Sequence, residues 1–280
     1  MIELSAVTKV FTLTKDQRKI VGSSDLRPKL FTAVDSVTFK CESSKVFALI
    51  GPNGSGKTTT LRMISTMMRP TSGSININGH DTTENDRLAR KSIGFMTNQT
   101  ALYDRLSPYE MVKYFADLNR MEKDIFEKRC RDIFDRLDMH TFANKRIGTL
   151  SSGMKQKTSI ARTIIHDPDI IVFDEPTTGL DVMTSRAIIE LIRNSKEEKK
   201  TIIFSSHRME EVKTLADNIG IIYNGKMIFS GSKADFESEM EKWPEILSLN
   251  KAREGLYIIE PGEYGLTGKV VKAHTLETSP

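Results

Sequence analysis

Gly51-Pro52-Asn53-Gly54-Ser55-Gly56-Lys57-Thr58 reads GxxxxGK[ST] without a mismatch. Its glycines let backbone N–H groups turn toward a phosphate with no Cβ in the way. Lys57 places a cation on terminal phosphates, and the Thr58 hydroxyl can ligate Mg²⁺. Thr59 follows at the start of a helical pattern, so the loop sits at a helix N-terminus, where unpaired N–H groups and the dipole favour an anion. A second chemical segment is Ile170-Ile171-Val172-Phe173-Asp174-Glu175. A buried strand ending in a carboxylate puts Asp174 at the sheet edge where α/β proteins bind ligands, positioned to hold Mg²⁺. Glu175 is then the candidate to polarise an attacking water. A third is Leu150-Ser151-Ser152-Gly153-Met154-Lys155-Gln156, where a hydroxyl and an unhindered N–H open a helix-like stretch, another anion site.

The elements that must position these groups follow from hydrophobic periodicity. Ile2–Val7, Val34–Lys40 and Val46–Ile50 read as strands, and Ser74–Ile77 as a strand entering an Asn78-Gly79 turn. The spacing predicts a helix over Thr58–Met68, with Leu61, Ile64, Met67 and Met68 facing inward and Pro70 ending it. Ile93–Met96 is a further strand. From Pro108 to Ile165 the apolar residues take helical spacing, so a helical segment interrupts the strands. Strand texture returns at Ile170–Phe173, Thr201–Phe204, Ile219–Tyr223 and Met227–Phe229, with a helix near Ser185–Lys196. Strands alternating with helices predict an α/β fold around a mainly parallel sheet.

Beyond this frame the sequence is ordinary. Of 280 residues, 41 are basic and 37 acidic, a net charge of +4 that is too small to argue for nucleic acid. No apolar run approaches the roughly 20 residues of a membrane-spanning helix. The first five residues have no basic region leading into an apolar stretch, so no secretory signal is expected. Cys41 and Cys130 stand far apart without CxxC spacing and are expected to be free thiols. Thr12–Leu30 is polar, with five basic and two acidic residues, and reads as a long loop or hairpin insertion. Lys233–Trp243 reads as an amphipathic helix, and Glu254–Ile259 and Gly268–Val271 as short strands packed on the main body.

In their order and spacing, the phosphate loop, Leu150–Met154 and Asp174-Glu175 make the chain resemble the ATPase subunits of ABC transporters. That family's LSGGQ signature stands here as LSSGM. The resemblance covers about residues 1–232. It implies a P-loop ATPase core with an antiparallel β subdomain and an inserted helical subdomain at about 101–165, followed by a small extension at 233–280. It also implies ATP and Mg²⁺, with Glu175 and His207 at the chemistry and Gly51 to Thr59 on the phosphates. Phe11 falls where an adenine-stacking aromatic is found. Thr58, Asp174 and Asn98 fall at the metal, although Asn98 stands where the family usually has Gln, and Gln99 is the other candidate. Ser151, Ser152 and Gly153 would act in trans on the nucleotide of a second copy, with Asp181 of Thr178-Gly179-Leu180-Asp181 at the dimer contact.

Residues 11–15, 97–106 and 153–157 further resemble the ATPase subunits of bacterial sodium exporters. The implied partner is a separate transmembrane permease docking near Leu102 and Tyr103, on the cytoplasmic face of the membrane. No nucleic-acid partner is expected, although some ABC ATPases serve DNA repair or translation; those often carry long heptad coils or two cassettes, and this chain has neither. An N-K-x-D base-reading motif is also missing, which argues against a GTP switch.

Overall fold

The computed structural model describes residues 1–13, 30–97, 102–241, 258–259 and 270–271. β1 (Ile2–Thr12) and β2 (Leu30–Cys41) pair antiparallel, with Thr12 opposite Leu30 at the base of the insertion. Together with β4 (Ser72–Ile77) and β5 (His80–Asp81) they form an antiparallel sheet in the order β2-β1-β4-β5. The second sheet has six strands. It contains β3 (Val46–Ile50), β6 (Ile93–Met96), β7 (Ile170–Asp174), β8 (Thr201–Ser206), β9 (Asn218–Tyr223) and β10 (Lys226–Ser232), ordered β10-β9-β3-β8-β7-β6. Its pairings are parallel except for β9 with β10, which the Asn224-Gly225 turn joins antiparallel.

The central strands β3, β7 and β8 are buried along their whole length and carry apolar runs because both faces are covered. Phe47 and Leu49 of β3, Val172 of β7 and Ile203 of β8 pack toward the antiparallel sheet, beside Leu4, Val37 and Ile75. Their neighbours Ala48, Ile50, Phe173 and Phe204 face the opposite layer, whose residues include Ile160, Ile188 and Val212. The period-2 alternation of a strand thus feeds two cores.

Between β6 and β7 lie α3 (Pro108–Leu118), α4 (Lys123–Arg136) and α5 (Ser152–Ile164), the helical segment expected from the sequence. The entry to α3 is fixed by a capping box: Ser107 Oγ accepts from Glu110 N, and Glu110 returns the bond to Ser107 N, with Pro108 at the first helical position. The remaining α-helices among the described residues are α1 (Lys57–Ile64), α2 (Asp86–Lys91), α6 (Val182–Glu197), α7 (Met209–Leu215) and α8 (Lys233–Glu241).

Helix α1 stops earlier than its apolar spacing suggests. Thr66 takes a left-handed φ of 58°, and Met67 N donates to Arg62 O while Thr66 N donates to Met63 O. That is a Schellman end with Thr where glycine is usual, and it turns Met67 out to 68% exposure instead of inward. α8 is described through Glu241, and Trp243 of the expected helix lies outside the described residues. The two carboxyl-terminal strands form a two-residue antiparallel ladder, Ile258 opposite Val271 and Ile259 opposite Val270. Cys41 and Cys130 are both buried free thiols. No helix among the described residues is long and apolar enough to cross a membrane.

Candidate functional site

Residues 51–56 bridge the end of β3 and the start of α1, and two of their glycines are required by close packing. A Cβ on Gly51 would lie 2.1 Å from the Ile222 carbonyl oxygen, and one on Gly56 would lie 2.6 Å from that of Ala33. The loop is tied to the β9–β10 turn, since Gly225 N donates to Ser55 O. Ser55 Oγ is buried without a hydrogen-bond partner, a polar atom left over inside the cradle. Lys57 is 5% exposed and donates to Gly51 O at 2.7 Å and Pro52 O at 3.1 Å. Burial pushes its ammonium below the ordinary lysine value, against the opposing pull of Glu175 and then Asp174.

Both carboxylates at the end of β7 reach this loop. Asp174 Oδ1 accepts from Thr58 Oγ1 at 3.1 Å and from Ser205 Oγ at 2.7 Å. Glu175 Oε1 lies 4.0 Å from Lys57 Nζ and 3.7 Å from His207 Nδ1. Its other oxygen, Oε2, accepts from Thr178 Oγ1 at 3.1 Å. The backbone of Glu175 is left-handed at φ 51°, a conformation that costs a non-glycine residue energy and must be held from outside. Ser205 holds it, because its Oγ accepts the Glu175 N–H at 3.0 Å while donating to Asp174. One serine on the neighbouring strand therefore holds the Asp174 carboxyl and the Glu175 backbone together. His207 follows directly after β8 and is 45% exposed.

The structure thus brings together Gly51 to Thr59, Asp174, Glu175 and His207. Phe11 is half-buried in β1 opposite Phe31, with Lys9 Nζ 5.4 Å from its ring centre. Asn98 and Gln99 fall outside the described residues. Ser151 caps α5, its Oγ accepting from Met154 N, and Ser152 opens that helix. Gly153 packs where a Cβ would meet Thr184 Oγ1 at 3.0 Å. Asp181 caps α6, accepting from Thr184 N and Thr184 Oγ1. These bonds hold its carboxyl below the usual carboxylate range. The signature turn and the Asp181 turn therefore pack on one another through Thr184.

Sequence reasoning missed the contacts that Ser205, Thr178 and Gln156 make with this turn. Gln156 Nε2 donates to Pro176 O at 2.8 Å, linking the signature helix to the turn after Glu175. Ser205, two residues before His207 at the end of a strand that pairs with β7, was a visible cue, since a hydroxyl opposite a strand-end carboxylate is a natural partner.

The donor set suits a hydrated divalent ion carried on phosphates. Among the described residues no three His, Cys, Asp or Glu side chains cluster into an all-protein metal site. Thr58 and Asp174 supply two hard oxygen donors and leave the remaining positions to phosphate and water, as Mg²⁺ prefers. When bound there, Mg²⁺ neutralises charge on the phosphate oxygens.

The ABC transporter family model matches residues 34–178. The ABC transporter ATP-binding protein NatA of Bacillus subtilis (strain 168) is 40% identical over 249 residues, covering 88% of this chain and 100% of that one. The linearmycin resistance ATP-binding protein LnrL of the same organism is 34% identical over 209 residues, 75% of this chain and 67% of its own length. Among solved structures, the dimeric post-hydrolysis ATP-binding cassette MJ0796 bound to ADP and Pi superposes with a TM-score of 0.72 at 26% identity. It covers 83% of this chain and 98% of that one. With a complete phosphate loop and an Asp-Glu pair facing it, the chain belongs to the ABC transporter family, as an ATP-binding subunit whose ATPase activity uses ATP and Mg²⁺.

Proposed function

We propose that two copies of this chain sandwich ATP and drive export through a separate membrane permease, with sodium ion as the cargo. The observation that carries the catalytic part is the placement of Glu175 Oε1 between Lys57 Nζ and His207 Nδ1. Lys57 and the loop N–H groups bind the β- and γ-phosphates, and Thr58 and Asp174 hold Mg²⁺. Glu175 orients the attacking water and takes its proton. His207 reaches the γ-phosphate, where charge develops. Ser151, Ser152 and Gly153 of the second copy close over the same phosphate, with Asp181 at the seam, so water is excluded as the dimer shuts. Support for a dimer comes from the dimeric state of the MJ0796 cassette.

In this reading residues 1–232 form the ATPase domain, 101–165 its helical lobe, and 233–280 an extension. Phe11 stacks on the adenine, and Asn98 completes the metal site. The permease docks beside Leu102 and Tyr103. Tyr103 is 56% exposed and packs edge-on to the half-exposed Tyr114, with exposed Leu118 nearby in sequence on α3. Such an aromatic patch suits a protein partner. That partner holds the chain on the cytoplasmic face of the membrane.

Sodium rests on the resemblance of residues 11–15, 97–106 and 153–157 to ATPases of sodium exporters. The relative named for linearmycin resistance marks the competing cargo class, a drug. Glu175→Gln should abolish turnover and leave an ATP-bound dimer in gel filtration; native-rate hydrolysis would remove Glu175 from its role. In inside-out vesicles holding chain and permease, ATP should drive sodium uptake. ATP-driven drug movement without sodium flux would assign the other cargo.

A further inference from the structure

The turn Glu175-Pro176-Thr177 and the end of β8 are clamped together by a carboxylate that belongs to neither. Glu211, on α7, is 4% exposed. Its Oε1 accepts from Thr177 Oγ1 at 2.6 Å, and its Oε2 accepts from Ser206 Oγ at 2.9 Å. Arg208 Nη1 lies 3.0 Å from Oε1, and Arg208 N donates to Ser206 Oγ at 3.0 Å. Thr177 and Ser206 are buried as deeply as Glu211. A buried carboxylate is costly unless its oxygens are paired, and here both are. The expense is set at one place: Thr177 stands two residues after Glu175, and Ser206 stands immediately before His207.

We infer that Glu211 is a positioning residue for hydrolysis, fixing the separation between Glu175 and His207 through Thr177 and Ser206. This rests on the reading of Glu175 as the group that orients water. Glu175 needs such support because its left-handed backbone is inherently unfavourable. Ser205 restrains it through the Glu175 N–H. Glu211 restrains the chain two residues further on, so the turn is held on both sides of the reacting carboxylate. The His207 side is held by the same group, through Ser206, so one carboxylate spans both flanks of the pair. None of these bonds touches Lys57, Thr58 or Asp174, so ATP binding should be insensitive to their loss.

The test is steady-state ATP hydrolysis by the full chain carrying Glu211→Gln, Thr177→Val, or both. Gln keeps the shape but offers one acceptor oxygen for two hydroxyls. Val keeps the shape of Thr177 and removes its hydroxyl, and it serves if the Gln variant does not fold. Each single variant should lower kcat about ten- to hundredfold, as small misplacements of reacting groups do. KM for ATP and the affinity for a fluorescent ATP analogue should stay within about twofold, because binding and chemistry separate in this way. The double variant should be no slower than the worse single, since both break one clamp. Native kcat in folded Glu211→Gln and Thr177→Val proteins, with only their melting temperatures lowered, would overturn the inference. So would parallel losses in kcat and ATP affinity. Glu175→Gln run alongside separates the two claims: if it stays active the underlying reading fails, and if only the clamp variants stay active this inference fails.

Discussion

At the residue scale, each charged group of the site has a polar partner: Lys57 donates to loop carbonyls, Asp174 accepts from Thr58 and Ser205, and Glu175 accepts from Thr178. Ser205 is the clearest case, with one hydroxyl serving Asp174 and the Glu175 N–H. Ser205→Ala should cost about 1–3 kcal/mol in urea unfolding, the price of leaving a buried polar group unmatched. It should also slow ATP turnover, and unchanged stability would show that the serine is dispensable. Lys57 carries a pH dependence. Its ammonium lies below the ordinary lysine value of 10.5 because burial disfavours the charge. In the nucleotide-free protein that shift opposes folding at neutral pH, and the opposition fades as pH rises through the lowered value toward 10.5. For binding the sign reverses, because phosphate needs the ammonium. Affinity for a non-hydrolysable ATP analogue should be full below the lowered value and fall as pH climbs through it, with protons taken up on binding. Calorimetry in two buffers of different ionisation heat reads both, and Lys57→Met should be weak and flat with pH. The phosphate loop and the Asp-Glu pair were legible in sequence because each is a contiguous pattern with its own physics. Ser205 and Glu211 were not, because Ser205 meets Asp174 and Glu175, and Glu211 meets Thr177, across 30 to 34 residues of chain.

At the element scale, buried strands were the most legible part. β3, β7 and β8 carry the apolar runs Val46–Ile50, Ile170–Phe173 and Ile202–Phe204, buried throughout, and only a two-faced core explains such runs. Helix ends were less so. The apolar spacing of α1 continues to Met68, but the backbone leaves the helix at Thr66, where a threonine occupies the position that a glycine would announce. The left-handed backbone of Glu175 is hidden in the same way, since a glutamate signals no turn. The phosphate loop depends on its seat as much as on its sequence. In Gly51→Ala the new methyl would press on the Ile222 carbonyl of β9, a backbone group that cannot swing aside. The variant should lose about 1–3 kcal/mol of stability, as overpacked sites do. Gly54 faces open space, so Gly54→Ala should cost only the strain of its positive φ, about 1–2 kcal/mol. Thermal melts of the two decide it, and equal melting temperatures would contradict a seat built on contact with β9.

At the scale of the whole molecule, the division into a phosphate-binding sheet and an inserted helical segment followed from the change of period between β6 and β7. What periodicity could not show is that Ser151 to Gly153 turn toward the Asp181 turn, through Thr184, while the phosphate loop packs on β2 and β9. The order of the motifs implied a site shared between copies, and the central claim is that two chains complete it. Lys57→Ala should be inactive for want of phosphate binding, and Ser151→Arg should be inactive because the exposed turn can no longer close on a partner's nucleotide. The decisive measurement is ATP hydrolysis by an equal mixture of the two. Random pairing makes half the dimers mixed, each with one intact site, so about a quarter of the native rate should return. Recovery near that level places the signature of one chain on the phosphates of the other. A mixture as inactive as its parts, with mixed dimers shown to form, would contradict the shared site.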